Sequence, residues 1–469
     1  MRGIVSAAGY IPRARLDRSA ITGFVGSGGG RGTRSVASYD EDTTTMGVEA
    51  ARIALRSAPA DVRPDALWFS TVAPSYLDKT NATTVHAALR LDHDVPAFDM
   101  VGAVRSAVGA LLTALKSTGT TLVVASDLRT GLPGSGDEAN GGDAAAAVIV
   151  GEGDPGSKSD SVIAELIGTA SATEEFVERW RTPGEARSKQ WEERFGETKY
   201  LPLGDQAWRE ALKAAGIEAG DVDSLIVSGL HARAVRSLKA RLGVAKEAQA
   251  DDLTATIGNS GAAQPMVLLT RALETTEPGK VIALVVLADG ADVLLFRTTD
   301  AVSSWQSART VDTQVAAGKD VPYGKFLSWR GTLTVEPPRR PEPQRVSSSA
   351  AGRHEDWKFG FVGGRSPDNG EPQLPPLPNS TGEVPMADVE GTIATFTVDR
   401  IAYSPSPPIV FAVVDFDGGG RLPIELTDAT VDELSMGDRV EMTFRRLFTS
   451  DGIHNYFWKA RPVLRSSNG

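Results

Sequence analysis

The sequence predicts an α/β protein with a duplicated, layered α/β domain over roughly the first 300 residues and a small closed β-barrel behind it. Three observations lead there. Apolar, β-branched runs alternate with Ala/Leu-rich helical stretches; one set of these units recurs later in the same order; and after about residue 330 proline-rich segments give way to closely spaced short strands. At 469 residues the chain is also too long for one ordinary core.

Taken in order, Met1–Pro12 reads as a short strand running into a turn, too polar and interrupted for a signal-peptide core. The stretch Gly26–Gly32 has the glycines of a phosphate loop but no Lys-Ser/Thr pair in the required place, so it reads as a surface loop. A helix through Ala51–Leu55 precedes a strand over Asp65–Thr71. A glycine/alanine-rich turn, Asp99–Ser106, opens a helix reaching Leu115, and strands Thr121–Ser126 and Ala144–Val150 follow, with Asp143 marking the turn before the second. The same set then returns: helix Glu210–Ala215, strand Asp223–Gly229, turn Thr256–Gly261 opening a helix that reaches Leu273, and strands Val281–Leu287 and Ala291–Phe296. The offset of roughly 155–160 residues is far beyond the period of a solenoid repeat, so it marks a duplicated domain. Packing the halves together places both turn-to-helix units in the middle, with their helix N-termini at a shared crevice. Between the halves, Glu174–Tyr200 is rich in charge and tryptophan and reads as an inserted helical segment whose Trp180, Trp191 and Phe195 either line a binding surface or, the plainer reading, pack onto the main body.

The later part begins with linker-like sequence at Pro337–Pro343 and Ser347–Gly352, then a second proline-rich piece at Pro372–Pro378. Strands are expected at Gly391–Val398, Ile409–Phe416, Leu422–Leu426, Arg439–Phe448 and Ile453–Ala460, with turns at Asp417–Gly420 and Ser450–Gly452. Five short strands in so little chain point to an OB-type barrel. The expected domains are therefore 1–160 and 161–300 as the two halves, the second carrying the insertion 174–203, then 301–385 as linker and ribbon-like region, and 386–469 as the barrel.

Composition narrows the chemistry. The formal charge of −11 argues against a general nucleic-acid binder, which needs a basic footprint. No run of about 18 apolar residues suggests a membrane span, so a soluble cytoplasmic protein is expected. With no cysteine, the chain has no disulfide, no thiolate nucleophile and no cysteine-ligated metal; its five histidines show no metal-ligand spacing.

Residues 1–300 resemble the thiolase superfamily, whose domain is a duplicated αβαβα sandwich, and within it the branch of ketoacyl-ACP synthase III and archaeal-type HMG-CoA synthase. Phe98–Ser106 is similar to that family's nucleophile turn, Ser228-Gly229-Leu230-His231 to the strand end that carries its catalytic histidine, and Gly258-Asn259-Ser260-Gly261-Ala262-Ala263 to the motif that supplies its active-site asparagine. Thr71–Lys79 and Trp180–Tyr200 are similar to segments of the same branch. The C-terminal part resembles the OB-fold domain that accompanies acyl-CoA thiolases and aldolases, and the zinc ribbon usually before it corresponds to Phe359–Ser380, which holds none of the expected cysteines.

The resemblance implies catalytic roles for His231 and Asn259, with Tyr76 as a further acid/base candidate, and substrate contacts at Val104, Arg105, Arg233, Gly258 and Ser260. It places Val104 at the nucleophile position, and the synthase glutamate near Val72. Valine has no lone pair, so no acyl-enzyme forms there. His231, Asn259 and the backbone N–H groups at Val104 remain as an oxyanion apparatus able to stabilise the enolate of a thioester. Each has a plainer reading: His231 as a strand-end histidine satisfied by a carbonyl, Asn259 as turn chemistry, Arg105 as a surface arginine, and Arg233, Arg236, Lys239 and Arg241 as a solvated helix face. Two functions follow: an acyl-CoA enzyme making or breaking a carbon–carbon bond without a covalent intermediate, or a non-catalytic acyl-CoA-binding subunit. Both imply an acyl-CoA or acyl-carrier thioester as ligand, no further cofactor or metal, a homodimer, and a thiolase or aldolase as a further partner.

Overall fold

The computed structural model describes residues 1–153, 161–185 and 187–464. The chain forms two compact units, one of Met1–Ala37, Ala50–Ala82 and His93–Tyr323, the other of Ser38–Glu49, Thr83–Asp92 and Gly324–Gly469.

The first unit is built on a nine-stranded mixed sheet, ordered Ser224–Gly229, Val281–Leu287, Ala291–Thr298, Ala164–Ala172, Arg2–Tyr10, Ala144–Glu152, Thr121–Asp127, Ala66–Ser70, Ala97–Asp99. The duplication is visible in the pairing. Ala66–Ser70 runs parallel to Thr121–Asp127, which is antiparallel to Ala144–Glu152, itself antiparallel to Arg2–Tyr10. Ser224–Gly229, Val281–Leu287, Ala291–Thr298 and Ala164–Ala172 repeat that pattern strand for strand. The halves meet where Gly3 and Ile4 pair with Glu165 and Ala164.

The helices at the heads of the two glycine-rich turns, Arg105–Lys116 and Gln264–Thr275, lie in one core shared by strands of both halves. Gln264–Thr275 buries Met266, Val267, Leu268, Leu269 and Leu273, apolar around most of its circumference, as a central helix must be. Pro265 sits in its first turn, where a missing N–H costs no bond. The helix Glu193–Ala215 packs Tyr200, Leu203, Ala207 and Trp208 into a second core on the outer face of the second half.

The segment between the halves departs from the helical expectation. Before Glu193 it is a small hairpin, Arg179–Trp180 against Lys189–Gln190. Pro183-Gly184 explains this: Gly184 takes a φ of +87°, and the Glu185 N–H closes the turn onto Thr182 O at 3.1 Å, which ends any helix. The loop Gly26–Gly32 is largely exposed.

The second unit contains a closed barrel in the order Gly391–Asp399, Ile409–Phe416, Arg421–Leu426, Ile453–Pro462, Arg439–Ser450. Ahead of it, Val362–Arg365, Pro372–Gln373 and Glu383–Pro385 form a three-stranded sheet. Aromatic packing anchors this ribbon: Phe361 is fully buried and stacks on Trp458, ring centroids 5.9 Å apart. Among the described residues no His/Cys/Asp/Glu cluster is able to hold a metal ion. No described helix is long and apolar enough to cross a membrane.

The second unit also buries a charge network. Arg445 and Lys459 have no exposed side-chain surface, and Asp40 meets both, at 3.2 and 3.0 Å. Arg445 also pairs with Glu41 and Asp428, Lys459 with Glu425, and Arg461 with Glu49 at 2.9 Å. Burial alone would raise the Asp40 pKa, but Lys459 and Arg445 outweigh it and hold the carboxyl well below its ordinary range.

Candidate functional site

A cleft of about 920 Å³ opens in the first unit, walled by the end of the strand Ser224–Gly229, the start of the helix Ala232–Lys239, the Asn259 turn, the hairpin residues between Glu178 and Trp191, and Ser135–Asp137. His231 and Asn259 both line it. Arg18, Arg187, Lys189 and Arg236 share its wall with Asp137, Glu178, Glu193 and Asp252, and Trp191 adds an exposed apolar face.

His231 ends the strand and caps the helix Ala232–Lys239. The Ala234 N–H donates to Nδ1 at 3.0 Å, and Nε2 lies 2.8 Å from the Glu193 carbonyl oxygen. With Nδ1 accepting, Nε2 carries a proton and donates to Glu193 O, so both ring nitrogens are held by main chain. Its ring packs against Tyr200 at 5.9 Å. Asn259 is similarly tied to main chain. Nδ2 donates to Gly229 O at 2.9 Å and Oδ1 accepts from Gly261 N at the same distance. Nδ2 carries two hydrogens, so one remains beyond that bond.

The turn around Asn259 is held from below. Gly258 has φ +76°, and a Cβ there would lie 2.3 Å from the Gly141 carbonyl oxygen, so no larger residue fits. The Asn259 N–H donates to Asn140 O at 2.8 Å. Ser260 is buried and donates its hydroxyl to Gln264 Oε1. Asp127, wholly buried, accepts from Ala262 N at 3.0 Å and from Val72 N at 3.3 Å. Burial raises its pKa, while Arg129 and these backbone donors oppose the shift. Asp143 is more than a turn marker: it pairs with buried Arg34 at 3.2 Å and accepts from Ala37 N and Arg129 N.

Apart from Arg236 and Trp191, the other sequence candidates lie outside the cleft wall. Val104 is the N-cap of the helix Arg105–Lys116 and packs against the shared core. Arg105 is committed to Asp292 at 2.8 Å and to the Asp289 carbonyl. Arg233 pairs with Glu197, Lys239 donates to Ala250 O and Arg241 pairs with Asp205. Tyr76 is half-buried in the turn after Ala66–Ser70, where its N–H bonds Asn81 Oδ1 and the Lys79 ammonium stands 5.9 Å from its ring.

One residue at the cleft has no sequence signal: Glu178. It is 7 % exposed, lines the cleft and faces His231 across Gly196. A Cβ at Gly196 would lie 2.6 Å from His231 Nε2 and 2.7 Å from Glu178 Cγ, so glycine leaves room for both side chains. Burial raises the Glu178 pKa; His231 and Arg179 pull it back in part, while Asp289 and Asp137 push it further up. Burial likewise raises Tyr200 beyond its ordinary range.

Comparison with known proteins follows this division. The family model of the 3-oxoacyl-[acyl-carrier-protein (ACP)] synthase III C terminus matches residues 212–293, and that of the ChsH2 C-terminal OB-fold domain matches residues 383–445. A hydroxymethylglutaryl-CoA synthase of Pyrococcus furiosus is 28% identical over 339 residues, covering 70% of this chain and 95% of the relative. Among solved structures, 3-oxoacyl-(acyl carrier protein) synthase III, FabH, of Pseudomonas aeruginosa PAO1 superposes with a TM-score of 0.56 at 19% identity, over 64% of this chain and 98% of its own. An HMG-CoA synthase complexed with CoA gives 0.58 at 16% identity, over 69% and 89%. Together with the duplicated sheet and the closed barrel, these likenesses are to a thiolase-superfamily domain over the first part of the chain and to an OB-fold domain over the last.

Proposed function

We propose that the chain is an HMG-CoA synthase-like protein that binds an acyl-CoA thioester in the cleft of its first unit. There it makes or breaks a carbon–carbon bond by aldol-type chemistry without an acyl-enzyme. The observation that carries this reading is the meeting of His231 and Asn259, from two separate elements, on the wall of one cleft. The basic side chains there suit the phosphates of a nucleotide carrier, and the likeness to an HMG-CoA synthase solved with CoA supports that carrier. In this reading Val104 holds the nucleophile position in the sequence but lies off the cleft wall, packed against the core, and the reaction uses no side chain there. The chain has no cysteine to supply a thiolate elsewhere, so the reaction must proceed through an enolate held by hydrogen bonds. The second N–H of the Asn259 amide is the donor left for that enolate.

A second reading is favoured by the same geometry: both His231 nitrogens and both ends of the Asn259 amide are bonded to main chain. That arrangement suits a non-catalytic acyl-CoA-binding subunit in a thiolase or aldolase assembly. Both readings carry a cytoplasmic homodimer. The test incubates the protein with a panel of acyl-CoA and 3-hydroxyacyl-CoA thioesters, measuring binding by calorimetry and aldehyde, ketone or free CoA by chromatography. Turnover supports the enzyme; binding without turnover, even with a thiolase or aldolase partner added, supports the subunit; no binding refutes both.

A further inference from the structure

We propose that Glu178 is the acid–base residue of this cleft, its carboxylate moving the proton while His231 and Asn259 hold the scaffold. The inference deepens the aldol-type reading above and rests on it. His231 cannot take a proton at Nδ1 without releasing the Ala234 N–H, nor give one from Nε2 without releasing Glu193 O. Glu178 has no such commitment. It lines the cleft, and among the described residues no hydrogen bond satisfies its carboxylate. The residue is largely buried but lines the cleft, so its carboxylate is open to a ligand there, and a group so placed and so shifted is where acid–base chemistry is run.

The neighbourhood is arranged for it. Gly196 lies within the helix Glu193–Ala215, where glycine is a poor helix former, and its missing Cβ leaves room for both Glu178 and His231. The charged groups around Glu178 are His231, Arg179, Asp137 and Asp289, with the Tyr200 phenol beside them and Glu193, Arg187 and Lys189 on the cleft wall. Arg179 is itself held by Asp137 at 2.7 Å, which limits how far it stabilises the Glu178 anion. Burial keeps the carboxyl a weaker acid than a solvated glutamate, closer to what general acid–base work near neutrality requires.

For a 3-hydroxyacyl thioester the step balances within the site. The Glu178 carboxylate accepts the 3-hydroxyl proton, the C2–C3 bond breaks, and C3 leaves as the carbonyl of an aldehyde or ketone. The bonding pair stays on C2 as the thioester enolate, and the proton returns from Glu178 to C2, releasing the shortened thioester. The reverse direction begins with removal of a C2 proton from an acyl thioester.

Deuterium wash-in at C2 of acetyl-CoA in D2O, followed by NMR, tests that first step alone. The wild type should exchange C2 protons, with a rate that falls on acidification through one ionisation above the ordinary glutamate range. E178Q should lose about 100-fold or more in rate, while its acetyl-CoA Kd by calorimetry stays within about threefold, since the substitution is isosteric. E178Q with more than a tenth of the wild-type rate, or a flat wild-type profile from pH 5 to 8, overturns the role of Glu178 while leaving the cleft reading standing. Loss of binding along with exchange overturns it too, because Glu178 would then hold ligand or fold. A wild type that neither binds nor exchanges sinks the cleft reading itself.

Discussion

Replacing His231 separates the structural duty of this side chain from any chemical one. In His231→Ala the helix Ala232–Lys239 loses its N-cap acceptor, a change that costs about 1 kcal/mol. The Glu193 carbonyl loses the Nε2 donor, a further net cost of about 1 kcal/mol. The ring is 7 % exposed and packs on Tyr200, so its removal adds a small packing loss, and the whole change should reach about 2–3 kcal/mol. His231→Asn keeps an N-cap acceptor, asparagine being among the residues preferred there, and should recover about 1 kcal/mol of the deficit. Urea denaturation followed by near-ultraviolet circular dichroism measures both at unchanged slope. If the alanine variant lies within about 0.5 kcal/mol of wild type, or asparagine is no better than alanine, the ring is not pinned as described. A loss of activity in the alanine variant alone says nothing about proton transfer, because the cap goes with it.

Val104→Cys tests the head of the central helix: with no other thiol in the chain, its iodoacetamide alkylation at pH 6.5 should run about tenfold faster than a free thiol. A rate no faster than free cysteine would show that the helix terminus does not activate this position. Arg445→Met leaves Asp40, Glu41 and Asp428 short of a buried partner and should cost about 3–5 kcal/mol, read as a drop in urea midpoint. A loss under about 1 kcal/mol would mean that water reaches the network. Glu274 is pushed up to about 7 from its ordinary 4.5, chiefly by burial, so its ionisation is harder in the folded chain than in the unfolded one. Its stabilising effect is complete below about pH 4.5 and is lost as the pH rises through about 7, a decline of about 2–3 kcal/mol. Glu274→Gln should remove that decline, and identical pH–stability curves for the two proteins would contradict it.

The duplicated sheet and the barrel could be read from sequence because both rest on local alternation. Runs such as Val281–Leu287 and Ala144–Val150 are apolar throughout since both their faces are covered, and the barrel strands carry period-two patterns between glycine turns. The glycine-asparagine motif was also legible, because Gly258 answers to a positive φ that few residues tolerate. The hairpin at Arg179–Gln190 was not, since two-residue strands have no period and the charged composition suits a helix equally well. Glu178 was hidden for a related reason: its importance lies in facing His231 across Gly196, a contact between segments that no spacing rule links. Asp40, Arg445 and Lys459 carry the composition of a solvated surface, and only the three-dimensional pairing shows that they are interior.

That interior pairing also sets a timetable for synthesis. Asp40 and Arg445 are separated by 405 residues of chain, so the acidic stretch is made long before the strand Arg439–Ser450 that brings its cation. Assembly of the C-terminal unit is thus a closure of very high sequence separation, slow compared with the local pairing of its own hairpins. For the same reason a fragment cut at residue 324 would not be a self-sufficient barrel, because it would carry Arg445, Lys459 and Arg461 into a core stripped of Asp40, Glu41 and Glu49. Here the gene order and the folding unit are interleaved, and the barrel's unit is completed by the distant segment Ser38–Glu49.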